Sequence, residues 1–193
     1  MWSGRLILAS GASCVYHKRM QIPLVMTVIG KDRPGLVESI AKIIAQRGGN
    51  WLESRMCRLG GEFAGILRIH ADSSQQPALE AELAALKAQG LTVTICPAHS
   101  KPDAVYAKTM SLELVGQDRP GIVREISRAL ARQGVNVEEL STECSSAPMS
   151  GEPLFTAKAK LQLPETCHVP ELRAELERLA GNLLVDISIE ELG

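Results

Sequence analysis

The feature that most constrains this chain is an internal repeat. Gly30 to Asn50, GKDRPGLVESIAKIIAQRGGN, returns 86 positions later as GQDRPGIVREISRALARQGVN, Gly116 to Asn136. Ten of the 21 aligned positions are identical, among them Gly30/Gly116, the D-R-P-G tetrapeptide, Gly48/Gly134 and Asn50/Asn136. Self-similarity at a fixed period constrains the topology before any single motif does. Two copies at this period in 193 residues imply two small domains and not the turns of a solenoid. Each copy would hold roughly 75 to 85 residues, small but sufficient for an independent core.

Composition narrows the class. The formal charge is −1, and 21 Lys and Arg are spread along the chain, so no basic field is available to grip phosphates and direct nucleic-acid binding is not expected. The five cysteines, Cys14, Cys57, Cys96, Cys144 and Cys167, are odd in number, scattered and never in a C-x-x-C pair. That pattern fits reduced thiols and a cytoplasmic location better than a disulfide frame. No stretch has the length needed to cross a bilayer.

The first 22 residues lie outside both repeats and read as an extension, a tail or the product of an upstream start codon. Their apolar run, Leu6 to Ala9, is too short and broken for a convincing export signal. From there copy one, 23–97, reads as strand Leu24 to Ile29, a helix carrying Leu36, Val37, Ile40, Ile43 and Ile44, two strands around Gly60-Gly61, a helix Gln75 to Gln89, and a strand Leu91 to Cys96. After a short linker, 98–106, copy two, 107–191, repeats the order: helix Ile122 to Arg132, strands Asn136 to Cys144 and Leu154 to Leu163, helix Val169 to Ala180, strand Leu183 to Ile189. The fold class is α+β: two ferredoxin-like βαββαβ domains, each a four-stranded antiparallel sheet with two helices on one face.

Alternation assigns the sheet faces. Leu24, Met26 and Val28 match Met110, Leu112 and Leu114 and point to the core. Copy one then carries Val25, Ile29, Ala64 and Ile66 on its other face, apolar enough to expect a cover by copy two or by a second chain; a homodimer is the expectation. Copy two has Thr109, Ser111, Glu113, Lys158, Lys160 and Gln162 there, a solvated pattern, and replaces the Gly60-Gly61 turn by the longer Ser145 to Gly151 loop.

The D-R-P-G turn joins a strand to a helix, where free backbone amides suit a carboxylate or another anion. Gly30 and Gly116 would let a ligand approach the backbone, and Gly35 and Gly121 would keep the first helical turn open. Pro34 and Pro120 fit the first helical position. Asp32 and Asp118 would cap the helix or hold an ammonium group. A small zwitterion is a sensible guest; a purely local reading, in which Asp caps, Pro starts and Gly turns, explains the same residues.

G-x-D-R-P-G-[LI]-V at a strand-to-helix junction, within β-α-β-β-α-β and followed by a helix closing on G-x-N, resembles the ACT domain, a small-molecule-binding regulatory module. The resemblance covers both copies, nearly all of residues 23 to 191. It implies an amino-acid site where the turn meets a neighbouring domain, on Gly30, Asp32, Arg33, Pro34, Gly35, Leu36 and Asn50, and on Gly116, Asp118, Arg119, Pro120, Gly121, Ile122 and Asn136. Paired ACT domains without a catalytic domain further imply a glycine-like ligand and a protein partner, a transcription factor or a metabolic enzyme. An interaction scaffold without ligand is the alternative. The same module also occurs in enzymes attached to large catalytic domains, for which no stretch of this chain is left over.

Nothing else assembles a reaction centre. Cys167 and His168 are adjacent on an extended segment and point apart, with no further ligands at metal spacing. Cys57 and Cys144 do not coincide at the offset of 86 and read as ordinary thiols. Glu53, Glu138 and Glu139 have no repeated His, Lys or carboxylate beside them. No catalytic residue, metal or cofactor is expected.

Overall fold

The computed structural model describes residues 20–98, 106–146 and 151–192. Residues 1–19 of the expected extension 1–22, most of the linker and the middle of the long hairpin loop lie outside the described residues. The chain divides into two compact units between His99 and Ser100.

In unit 1 the order is β1 Gln21–Lys31, α1 Leu36–Gln46, β2 Asn50–Leu59, β3 Glu62–Asp72, α2 Gln76–Ala85, a 3-10 turn Leu86–Gln89, and β4 Leu91–Pro97. Unit 2 runs β5 Tyr106–Gln117, α3 Ile122–Arg132, β6 Asn136–Ser146, β7 Pro153–Pro164, α4 Val169–Leu183 and β8 Val185–Glu191. Both sheets are antiparallel, in the orders β2-β3-β1-β4 and β6-β7-β5-β8. The repeat extends to irregularities: both second strands shift register just after their start, between Trp51 and Glu53 and between Val137 and Glu139.

One face of each sheet packs under its helices, as the alternation requires. Leu24, Met26 and Val28 are at most 2% exposed and join Leu36, Ile40 and Ile44 of α1 and Leu79 and Leu83 of α2. In unit 2, Met110, Leu112 and Leu114 meet Ile122, Ile126 and Leu130 of α3 and Leu172, Leu176 and Leu179 of α4. A buried Leu or Ile stabilises a core by about 1.5–3 kcal/mol relative to exposure. The outer face of unit 1 is open among the described residues, with Ile29 53% and Ile66 48% exposed. Its counterpart in unit 2 is tied by ion pairs, Lys158 to Glu113 at 2.9 Å and Lys160 to Glu138 at 3.1 Å.

One expected helix end holds and another moves. The second helix of unit 1 tightens into a 3-10 turn at Leu86 and stops at Gly90, which adopts φ 83. Helix α4 runs through Gly181 to Leu183, so β8 begins at Val185 and not at Leu183. Gly181 does not take up a left-handed stop; Leu184 does, at φ 55, an uncommon conformation for a branched side chain.

Candidate ligand-binding site

Each repeat turn places a glycine in the left-handed region at the helix start. Gly35 has φ 89 and Gly121 φ 98, angles that a residue with a Cβ adopts only at a cost. Gly35 O accepts the Ser39 amide at 2.9 Å and the Ser39 hydroxyl at 2.8 Å, and Gly121 O accepts the Glu125 amide at 3.0 Å. These glycines are therefore the N-caps, and no side chain caps either helix. The expectation that Asp32 and Asp118 cap the helices is corrected. The left-handed step puts each aspartate too far upstream of the first helical turn. Pro34 and Pro120 sit in the turn, two residues before the first helical residue, and not at the first helical position. Both helices so present uncapped amides at their positive ends, on an exposed turn.

Gly30 and Gly116 have a different job from the one expected of them. A Cβ at Gly30 would lie 2.3 Å from the Gly90 carbonyl oxygen, and one at Gly116 would lie 2.5 Å from Val185 Cγ1 and 2.8 Å from Val185 Cα. Glycine is required here so that β1 and β5 can close against the starts of β4 and β8, and the space is protein, not ligand. Leu36 and Ile122 are 3% and 2% exposed, so their side chains belong to the cores and only their backbone can face a guest.

The polar groups of the turns differ between the units. The Asp32 amide donates to Gly61 O at 3.0 Å, and its carboxylate accepts Arg58 Nε at 2.8 Å. Arg33 reaches toward Gln89, with Nη2 at 3.5 Å from its backbone and side-chain oxygens. In unit 2 the Asp118 amide donates to Pro153 O at 3.1 Å and Arg119 donates to Gln117 Oε1 at 3.0 Å. The position matching Arg58 is Cys144: both face the phenylalanine that stands opposite the turn glycine, Phe63 and Phe155. Arg58 and Gln89 were missed as site residues because they come from the hairpin and from the α2–β4 connection, distant in sequence and outside the repeated stretch.

The structure does not bring Asn50 and Asn136 to the turn of their own unit. Asn50 pairs with His70, whereas Gly30 pairs with Phe63, so the two lie on the order of 24 Å apart along β3 at ~3.4 Å per residue. Asn136 similarly stands opposite Gln162, to which its amide donates at 3.3 Å, at the far end of β7 from Phe155. Helix α1 or α3 carries the chain from one end of the sheet to the other before each asparagine.

Comparison with known proteins fits this architecture. ACT-domain family models match residues 23–95 and 110–158. Over 148 residues the chain is 24% identical to the glycine cleavage system transcriptional repressor of Escherichia coli, covering 76% of this chain and 75% of that protein. It is 25% identical over 177 residues to the phosphoserine phosphatase SerB2 of Mycobacterium tuberculosis, covering 90% of this chain but spanning only 42% of the phosphatase. Among solved structures, an unknown protein from Galdieria sulphuraria superposes with a TM-score of 0.76 at 31% identity, over 90% of this chain and 100% of that one. A putative glycine cleavage system transcriptional repressor has the same fold, with a TM-score of 0.66 at 22% identity over 90% of this chain and 98% of that one.

Proposed function

Because this chain belongs to the ACT-domain family, as two ACT domains in tandem, we propose that it is a non-enzymatic regulator. It binds a small amino acid, glycine or one of similar size, at its strand-to-helix turns and controls transcription through a partner protein. The observation that carries the reading is the doubled turn, in which a helix N-terminus left uncapped follows an aspartate at a fixed spacing. A zwitterion is matched on both ends: amides for the carboxylate, aspartate for the ammonium. The turn alone is a surface, so a second wall has to come from a neighbouring domain or chain. Similarity to the glycine cleavage repressor supports transcription as the controlled process.

The reading includes a cytoplasmic location and a homodimer in which the outer face of unit 1 is covered. Among the described residues no helix is long and apolar enough to cross a membrane. The similarity to SerB2 stops at 42% of that enzyme, which leaves more than half of it without a counterpart in this chain.

Calorimetry with a panel of amino acids that includes glycine and serine tests the proposal. Saturable binding of a small member is expected, and it should weaken when Gly35 and Gly121 are both replaced by alanine, whose Cβ would project into open space at the turn. No heat from any member of the panel would overturn the sensor. Light scattering on an Ile29→Lys/Ile66→Lys variant tests the dimer, with the monomer as the expected product.

A further inference from the structure

The two turns are not equal as receptors for an ammonium group. In unit 1 the Asp32 carboxylate is already occupied, with Arg58 Nε 2.8 Å from its Oδ2. In unit 2 the Asp118 carboxylate has no side-chain partner among the described residues. Two substitutions outside the repeated stretch make the difference. Cys144 holds the place of Arg58, each paired across its hairpin with the phenylalanine that stands opposite the turn glycine. Leu183 holds the place of Gln89, each two residues before the strand residue on the other side of that glycine, Leu91 in unit 1 and Val185 in unit 2. Arg33 accordingly reaches out to Gln89, with Nη2 3.5 Å from Oε1, whereas Arg119 folds back onto Gln117 of its own turn at 3.0 Å. Both charged side chains of the first turn are thus tied to other parts of their unit, and those of the second are not.

A guanidinium beside a carboxylate does what a ligand's ammonium group would do: it donates a charge-assisted hydrogen bond and offsets the negative charge. An amine arriving at Asp32 has to displace Arg58 or share the carboxylate with it. With Arg58 69% and Asp32 35% exposed, that handicap is a factor of about five at most. The ligand's carboxylate is not affected, because α1 and α3 offer it the same uncapped amides behind glycine N-caps at φ 89 and φ 98. What Arg58 alters is therefore selectivity for the amine, not affinity for a small acid.

We propose that Arg58 is a specificity-determining residue that stands in for the ligand's ammonium group at unit 1. The turn of unit 2, through Asp118, is then the one that distinguishes an amino acid from the acid that lacks its amine, and the turn of unit 1 does not favour the amine. A purely structural role for Arg58 fits worse, because the hairpin of unit 2 keeps the same pairing with Cys144 in its place. The proposal rests on the reading of the turns as amino-acid sites and adds which of them selects.

The test uses the full chain, labelled for amide NMR, titrated with glycine and separately with glycolate, which keeps the carboxylate and carries a hydroxyl where glycine has its amine. Shifts at 31–39 and 117–125 report the two turns separately. At unit 2 glycine is expected to bind about fivefold more tightly than glycolate, and at unit 1 no preference for glycine is expected. Arg58→Ala should give unit 1 a preference for glycine, Arg58→Lys, which keeps a cation there, should not, and Cys144→Arg should abolish the preference of unit 2. Both positions are exposed, so the fold is expected to survive each change. Equal preference for glycine at the two turns of the unaltered chain would overturn the proposal, as would a unit 1 that Arg58→Ala leaves without preference. A change in unit 1 affinity common to both ligands would mark Arg58 as a structural tether and overturn it as well. Each of these results leaves the sensor reading intact; glycine that shifts neither turn would overturn that reading and the selectivity with it.

Discussion

The outer sheet faces of the two units are the same surface built twice with opposite chemistry. Val25, Ile29, Ala64 and Ile66 in unit 1 occupy the register positions of Ser111, Val115, Thr156 and Lys158 in unit 2. The first set leaves an apolar field with Ile29 53% and Ile66 48% exposed; the second is laced by Lys158–Glu113 at 2.9 Å. Beneath them the cores and turns correspond element for element. Duplication thus kept what backbone geometry demands and released what faces outward. The helix side diverges as well. Trp51 and Leu67 of unit 1 are replaced by Val137 and Ala159, and an apolar cleft lined by Val123, Val137, Leu140, Phe155 and Ala159 opens between α3 and β6.

The largest effects should fall on what the units share. Gly30→Ala drives a Cβ to 2.3 Å from a backbone oxygen that cannot rotate away. A loss of about 2–4 kcal/mol is expected from unit 1, and unit 2 should be untouched. Gly116→Ala should mirror it in unit 2, since Val185 Cα stands at 2.8 Å. Hydrogen exchange of the core amides, read separately for β1 and β5, checks both. A variant that loses protection equally in the two units would mean that they do not fold as separate cooperative bodies.

Next comes the side-chain exchange under the helices. Leu67→Ala should cost unit 1 about 2–4 kcal/mol, because Leu67 is 1% exposed and its removal leaves a void. Ala159→Leu, the reverse step in unit 2, should stabilise it by about 1 kcal/mol by filling the cleft beside α3. Chemical denaturation of each variant supplies the values. If Ala159→Leu destabilises, the cleft is already closed by its neighbours, and the difference between the units is one of sequence alone.

How much of this was legible beforehand follows from the range of each interaction. Helix α1, the hairpin strands and the core faces are governed by neighbours three, four or two residues away, and the repeat reported them twice. The use of Gly30 was not legible, because the atom that demands it, the Gly90 oxygen, lies 60 residues downstream, just before the strand that closes beside it. Asp32 looked like a cap because caps are local; its actual partner, Arg58, arrives by way of the hairpin. Asn50 entered the site through the family resemblance, which puts it where a turn meets a neighbouring domain; within its own unit an intervening helix carries it to the other end of the sheet. The helix read as ending at Ala180 runs on through Gly181 to Leu183, because the left-handed angle that stops it is taken by Leu184.

Smaller effects bear on the one asymmetry at the turns. Asp32 is held by Arg58, with side chains 35% and 69% exposed, so the pair contributes about 0.2–1 kcal/mol at most. Arg58→Ala should leave stability nearly unchanged while freeing the Asp32 carboxylate for a ligand's ammonium group. In the proposed sensor its expected signature is tighter amino-acid binding at unit 1. Cys144→Arg, which places an arginine at the matching position of unit 2, should weaken binding there. Calorimetric titration of the two variants decides the matter, and unchanged affinities in both would show that the aspartates do not contact the guest.

The thiols offer the finest comparison. Cys57, Cys96 and Cys144 are exposed, whereas Cys167, just before α4, is half-buried, and burial together with the Glu171 carboxylate pushes its pKa up. The thiolate is the form that reacts, so a raised pKa lowers the reactive fraction at any pH below it. At pH 8 Cys167 should therefore be alkylated by iodoacetamide more slowly than the three strand cysteines, and peptide mapping over time would give the order. Replacing Glu171 with glutamine should recover only part of the difference, because burial is the larger of the two causes and is untouched by that change. Full recovery would assign the slowness to charge, and no recovery would assign it to burial alone.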